Sequence, residues 1–376
     1  MAKRAVCISC FDFYDHRVEL VMDQLRQRGY ECTYITGDFS HFTREKYKIS
    51  VPGGEQVPTI PYYKNMSVMR LVSHQAFTRA VFRRVRQLQP DLLYVMTPPN
   101  SLCREAGRYK RKHPQTTFAV DLYDLWPETF PSHGAKRVLA LPFALWQAER
   151  DMGLKYADIV YTECDLYRQV LHRQLRGKRV YTLPICRERV TCGPHPQAPE
   201  GEALSLCYLG TIGKLLDIDV VEELLRQMVV RRPVKLHIIG EGETREELIR
   251  RATTAGAEVI YHGRIYDPDQ RQQIFDQCHF GINIMKTSVL VGLTMKSLDY
   301  FAGGLPVLNT IEGDTRSRVG FYHAGIEVDR DDLVQTARRA VGMSNAENTQ
   351  MRRNTLELFE SNYSIQHVRD ILSDLG

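Results

Sequence analysis

Lys296 and Asp299 stand three residues apart in the stretch 291–310, VGLTMKSLDYFAGGLPVLNT. An ammonium in the first turn of a helix can place a point charge on a diphosphate. A carboxylate one turn later can accept both hydroxyl hydrogens of a ribose, and the pair together suggests a sugar-nucleotide site. Elsewhere, Asp124 and Glu128 close the run Asp121-Leu122-Tyr123-Asp124-Leu125-Trp126-Pro127-Glu128. Carboxylates at the end of a parallel strand lie on the ligand side of the sheet, which makes these two candidates for acceptor binding, against the plainer role of capping the following turn.

The chemistry of Lys296 depends on what positions it. The apolar run 280–285 reads as a buried strand, Gly303-Gly304 as a helix stop and 305–308 as the next strand, giving strand, loop, short helix, strand. A helix that begins at the carboxyl end of a parallel strand aims free N–H groups and its positive dipole end into the ligand crevice. On an ordinary exposed helix, a Lys and an Asp at i and i+3 form a solvated pair worth about a few tenths of a kcal/mol. The rest of the chain therefore decides between the two readings.

From the start, 5–10 reads as a strand, the helical pattern Val18, Val21, Met22, Leu25 is closed by Gly29, and 31–36 is a second strand. No G-x-G-x-x-G accompanies this opening, so hydride chemistry has no support. Residues 37–65 read as a long loop or insertion, and 73–89 as a helix with the apolar stripe Phe77, Val81, Val85, Leu88. Arg79, Arg83 and Arg86 line another face of that helix. Strands follow at 92–96, 117–121, 158–162 and 181–183. The uncharged run 138–146, beside Lys136 and Arg137, reads as a packed helix rather than a membrane anchor. The polar stretch 184–201 is the expected linker. The alternation then restarts: strands at 205–209, 235–239 and 259–262, helices at 219–228, 246–255 and 269–277, loops at 210–214 and Gly240-Glu241-Gly242-Glu243, and an amphipathic segment at 351–375. Two βα-rich halves imply two doubly wound domains facing each other across a cleft.

The chain of 376 residues suits two domains, and 43% hydrophobic with 25% charged residues are globular values. The start reaches Asp12 too soon for a signal peptide and no apolar run spans a membrane, so a cytoplasmic protein is expected. Nine cysteines without a pattern fit free thiols; Cys7 and Cys10 form a C-x-x-C on the first strand rather than at a helix start, which speaks against redox chemistry. Residues 1–190 hold 30 Lys+Arg against 19 Asp+Glu, a balance of +11, and the remainder 20 against 26, a balance of −6. With the arginine stripe, the basic half points to an anionic membrane surface or a lipid-linked substrate. No aromatic platform accompanies the charge, so nucleic acid is not an expected partner.

Several motifs occur in a shared order: Asp15-His16-Arg17-Val18 leading to Gln27-Arg28-Gly29-Tyr30-Glu31-Cys32; Thr97-Pro98-Pro99 and then Asp124-Leu125-Trp126-Pro127-Glu128; Tyr208-Leu209-Gly210-Thr211-Ile212-Gly213-Lys214; His237-Ile238-Ile239-Gly240-Glu241-Gly242; Lys296-Ser297-Leu298-Asp299-Tyr300 with Ala302, Gly304, Pro306 and Val307; and Asn362-Tyr363-Ser364. In this order they resemble a GT-B glycosyltransferase of the family 4 type that builds bacterial surface polysaccharides, in its D-L-W-P-E subgroup.

The resemblance implies a first Rossmann-like domain at 1–190 that holds the acceptor, a second at 204–350 that holds a nucleotide-sugar, and a helix at 351–376 crossing back to the first. It implies a hexosyltransferase that takes a sugar from a donor, expected to be UDP-linked, to a growing surface glycan, free or lipid-linked at the inner face of the cell membrane. Lys214 and the backbone around Gly213 would meet the diphosphate with Lys296; Asp299 would take the ribose; Arg264 and Ile265 would lie near the base. Asp15 and His16 would approach the reacting carbon, and either could be the general base of an inverting reaction. No metal cofactor is implied, because lysine and helix dipole neutralise the leaving diphosphate. The D-x-D look-alikes Asp217-Ile218-Asp219 and Asp267-Pro268-Asp269 read as a helix start and a turn. The chain departs from the family at Val291, where a Glu is typical, and at Gly210-Thr211-Ile212-Gly213, where an Arg is familiar. Two other readings stay open: a non-catalytic homologue serving as partner subunit, and a sugar-nucleotide epimerase.

Overall fold

The computed structural model describes residues 2–64, 67–129, 140–188, 197–288 and 290–375. The chain divides into two units, Met1–Leu183 with Arg369–Gly376, and Pro184–Val368.

The first unit contains β1 (Lys3–Ile8), α1 (Asp15–Gln27), β2 (Tyr30–Gly37), β3 (Gly54–Val57), α2 (Val68–Leu88), β4 (Leu92–Thr97), α3 (Asn100–Lys112), β5 (Thr117–Leu122), α4 (Ala140–Leu154), β6 (Ile159–Thr162), α5 (Asp165–Val170) and β7 (Arg179–Thr182). The strands form one parallel sheet in the order β3-β2-β1-β4-β5-β6-β7. Its central strands are covered on both faces, which is why β4 and the end of β1 are buried throughout and read as unbroken apolar runs. The order reverses between β1 and β4, so the loops after these two strands open the crevice of this sheet.

Three expectations change here. The stretch 37–65 contains the edge strand β3, whose polar Gly-Glu-Gln-Val is half-buried throughout and gives no alternation to read. Helix α2 starts at Val68, because Ser67 accepts a hydrogen bond from the Arg70 N–H at 3.2 Å and caps it. Helix α4 is not packed along 140–146: its buried residues are Arg150, Gly153 and Leu154, while Leu141 and Leu145 face solvent. Lys136, Arg137 and the first two residues of the 138–146 run lie outside the described residues. Among the described residues, no helix is long and apolar enough to cross a membrane. Arg79, Arg83 and Arg86 are exposed, on the face opposite buried Phe77, Val81 and Val85.

The second unit contains β8 (Leu204–Leu209), α6 (Ile218–Val229), β9 (Val234–Ile239), α7 (Arg245–Thr254), β10 (Glu258–Gly263), α8 (Pro268–Phe275), β11 (Phe280–Asn283), α9 (Met295–Ala302), β12 (Val307–Asn309), α10 (Gly313–Tyr322), β13 (Gly325–Glu327), α11 (Leu333–Val341) and α12 (Asn345–Asn362). Its parallel sheet runs β10-β9-β8-β11-β12-β13 and reverses between β8 and β11. The C-terminal segment is two helices rather than one. Helix α12 opens with the Ser344–Glu347 capping box and sends the buried Arg352 guanidinium to the carbonyls of Cys278 and Phe275. It therefore lies in the second unit. The division falls within α13 (Ile365–Leu372), and 369–376 cluster with the first.

Candidate functional site

In the second unit, an open pocket of about 640 Å³ lies at the carboxyl ends of β8, β9 and β10, bounded by the start of α9. This is the crevice that strand order predicts. Two glycine loops build its floor. The Ile212 N–H donates to the Glu241 carbonyl at 2.9 Å and the Thr244 N–H to the Ile212 carbonyl at 3.1 Å, so the loop after β8 lies directly on the loop after β9. A Cβ on Gly240 would stand 1.9 Å from the Gly210 oxygen, and one on Gly242 2.1 Å from the Ile212 oxygen. Only glycine permits this approach.

Helix α9 is locked in place from below. The Leu209 N–H donates to the Tyr300 hydroxyl at 2.7 Å, and that hydroxyl donates to the Cys207 carbonyl at 3.1 Å. Its ring covers Gly281, where a Cβ would meet it at 2.9 Å. Thr294 caps the helix by accepting from the Ser297 N–H, Ser297 bonds Asn283 beneath, and Gly304 ends the turn at φ +61°. The first N–H groups of α9 are thereby held at the pocket.

Lys296 projects from this first turn and lines the pocket. Its amine lies 5.1 Å from the centre of the Tyr208 ring and has no carboxylate partner among the described residues. Loss of solvent lowers its pKa to about 8, so it is still a cation at neutral pH. Asp299 also lines the pocket, its carboxylate facing Arg187 at 3.3 Å and Arg271 at 3.7 Å. Arg264 and Ile265 line the β10 side together with Tyr266. Lys296, Asp299, Arg264 and Ile265 are thus brought together.

Gly213 and Lys214 are not among the residues lining that pocket. The Lys214 side chain is 79% exposed and meets Glu243 at 3.6 Å. Arg187 and Arg271 escaped the sequence reading, one because it sits in the expected linker and the other because nothing in the weak helical pattern of α8 shows which face it presents. Val291 is half-buried, and the carbonyl of the next residue, Gly292, accepts bonds from the N–H and hydroxyl of Thr315, tying this loop to α10. In the D-x-D look-alikes, Asp217 pairs with Arg330, Asp219 with Arg251, and Asp267 caps α8.

In the first unit, Asp15 opens α1 and accepts a hydrogen bond from the Tyr34 hydroxyl at 2.6 Å. Burial raises its pKa to about 6, against the lowering effect of that bond. His16 is exposed and its side chain makes no hydrogen bond among the described residues. Asp124 accepts from the Thr129 hydroxyl at 3.0 Å and is likewise raised by burial to about 6. Glu128, expected at the acceptor, is held within the first unit. Both its oxygens are held at 2.8 Å by the buried Arg150, and Gln147 adds a third bond, so it ties this turn to α4. The Cys7 and Cys10 thiols are buried and pushed up, Cys10 to about 12, the reverse of an activated redox pair.

Comparison with known proteins adds to this geometry. Residues 205–344 match the family described as Glycosyl transferases group 1. No curated protein sequence matches the chain. Among solved structures, it is similar to a sucrose-phosphate synthase from Thermosynechococcus elongatus, at 12% identity over 99% of this chain and 98% of that one, with a TM-score of 0.69. It is also similar to the apo form of the lipopolysaccharide outer core galactosyltransferase WaaB, at 14% identity over 99% and 98%, TM-score 0.69. HepE from Anabaena in complex with UDP and glucose matches at 10% identity over 99% and 98%, TM-score 0.63. At these identities the likeness establishes the fold: two parallel-sheet α/β domains of the GT-B type.

Proposed function

We propose that this glycosyltransferase, a GT-B chain whose residues 205–344 fall in the group 1 glycosyl transferases, moves a sugar from a UDP-linked donor to a growing surface glycan carried on a lipid at the inner face of the cell membrane. The observation that carries the donor half is Lys296, a cation without a carboxylate partner among the described residues, set beside the free N–H groups of α9 at the switch point of the second sheet. An anion fits that place and a neutral ligand would leave the charge unanswered. The HepE structures in complex with UDP and glucose and with UDP-glucose make a uridine donor the first to test.

In this reading the diphosphate lies on the α9 N-terminus against Lys296 and Arg264. The ribose hydroxyls meet Asp299, whose orientation is held by Arg187 and Arg271, and the base lies along Ile265. Charge growing on the leaving diphosphate is met by fixed donors, and the reaction is proposed to proceed without a metal. Asp15 takes the proton of the attacking hydroxyl; with Val291 in place of the family's Glu, this base supports inversion at the sugar carbon. The test is UDP release from a panel of UDP-sugars, with and without a membrane lipid extract as acceptor. Release from one sugar that depends on the extract supports the proposal. No release from any of them, by protein that binds UDP, refutes a uridine-linked transferase of this kind.

A further inference from the structure

A separate pocket among the described residues lies wholly in the first unit and has no part in the proposed donor site. It is a groove of about 730 Å³ between the start of α2 and α4, within the size range of ligand sites. Its walls are mainly apolar, formed by Val68, Leu71, Phe143, Leu145 and Met152. Along it the two helices leave large side chains in water: Val68 is 77% exposed, Leu145 64% and Leu71 48%. Single exposed hydrophobics are ordinary, but a contiguous set along one groove marks a binding surface.

The inner end of the groove is polar in a specific way. His74 lines it, is 3% exposed, and has neither ring nitrogen hydrogen-bonded among the described residues. Buried polar atoms nearly always find partners, so a buried imidazole with two idle nitrogens points to a ligand group. The buried Arg70 guanidinium stands beside it, 4.8 Å from the Trp126 ring centre, 5.8 Å from Tyr62 and 5.9 Å from Phe11. Arg104, the other arginine of the lining, is engaged by Glu149 and Gln75. One end of the groove thus offers a cation and a hydrogen-bonding imidazole, and the rest offers hydrocarbon.

We infer that this groove binds the hydrocarbon chain of a lipid phosphate, with the phosphate at Arg70 and His74. The inference rests on the lipid-linked acceptor proposed above and gives that acceptor a place. Charge complementarity supports it, because the half of the chain that contains the groove has the +11 balance. Position supports it too. Phe11, whose ring lies 5.7 Å from His74, begins the loop that leads to Asp15, and Trp126 belongs to the same turn as Asp124. A sugar attached to the phosphate would extend toward these two carboxylates.

The protein's two tryptophans, Trp126 and Trp146, both line this groove, so intrinsic fluorescence reports on it selectively. The experiment titrates the full chain with dodecyl phosphate below its micellar concentration, and in parallel with dodecanol and with inorganic phosphate, measuring UDP binding on each sample. A saturable change with dodecyl phosphate is expected, at least tenfold tighter than with dodecanol, and none with inorganic phosphate. His74→Phe and Arg70→Met should reduce dodecyl phosphate to the affinity of dodecanol, and Leu145→Glu should weaken both. An unchanged near-UV circular dichroism spectrum and thermal melt certify that the first unit of each variant is folded, and retained UDP binding certifies the second. No saturable change in a protein that binds UDP, or a response unaltered in all three variants, overturns the groove assignment and leaves the donor site standing. Absence of UDP binding with an intact dodecyl phosphate response would instead overturn the donor reading alone.

Discussion

Asp15 has the properties of a general base suited to near-neutral pH. Burial holds its pKa near 6, and the Tyr34 hydroxyl bond keeps it from rising further. A carboxylate acts as base only when ionised, so the rate should fall as pH drops through about 6. Tyr34→Phe removes the bond that favours the ionised form, and the acid limb of kcat/KM should move to higher pH. Asp15→Asn should lower kcat by roughly 10² to 10⁴ while leaving UDP affinity within about threefold, the range expected of a general base. A rate profile unmoved by Tyr34→Phe, with full activity in Asp15→Asn, would assign the base elsewhere. His16, exposed and with its side chain unbonded among the described residues, has no comparable support.

At the scale of elements, the close contact between the glycine loops after β8 and β9 sets the pocket floor. Gly242→Ala would drive a Cβ into the Ile212 backbone at 2.1 Å, whereas at Gly213 the nearest atom is 3.8 Å away. Gly242→Ala is expected to cost about 1 to 3 kcal/mol of stability and most of the UDP affinity, and Gly213→Ala to change both little. Thermal melts and calorimetry on the two variants check this. Much of this architecture was legible in advance. Every strand of the second sheet up to β12 has an apolar run, and the helix at Lys296 is framed by a strand and a Gly-Gly stop. What escaped was of two kinds. Strand β3 is polar and lies at an edge, and β13 has three residues, too few for a pattern. The commitments of side chains are long-range: Glu128 to Arg150 and Asp299 to Arg187 and Arg271 join residues 22, 112 and 28 positions apart, which no local spacing encodes. Lys214 and Lys296 looked alike in sequence, and only packing separates an exposed side chain from one lining the pocket.

Across the whole molecule, the proposed donor pocket lies inside Pro184–Val368, and the groove proposed for the lipid lies with Asp15 and Asp124 inside Met1–Leu183. UDP at 100 times its Kd should therefore stabilise the second unit by about 2.7 kcal/mol, a rise of roughly 5 to 10 °C in its midpoint for a domain of this size. Hydrogen exchange would show the added protection at the start of α9 and in the two glycine loops. The most direct test of the central claim is calorimetric titration of the purified protein with UDP and GDP, repeated on Lys296→Ala and Asp299→Ala. The proposed donor site predicts that UDP binds, that both substitutions weaken it at least tenfold, and that wild-type affinity declines above about pH 8 as Lys296 loses its proton. A folded protein that binds neither nucleotide, or binds UDP equally well without Lys296 and Asp299, would contradict the account.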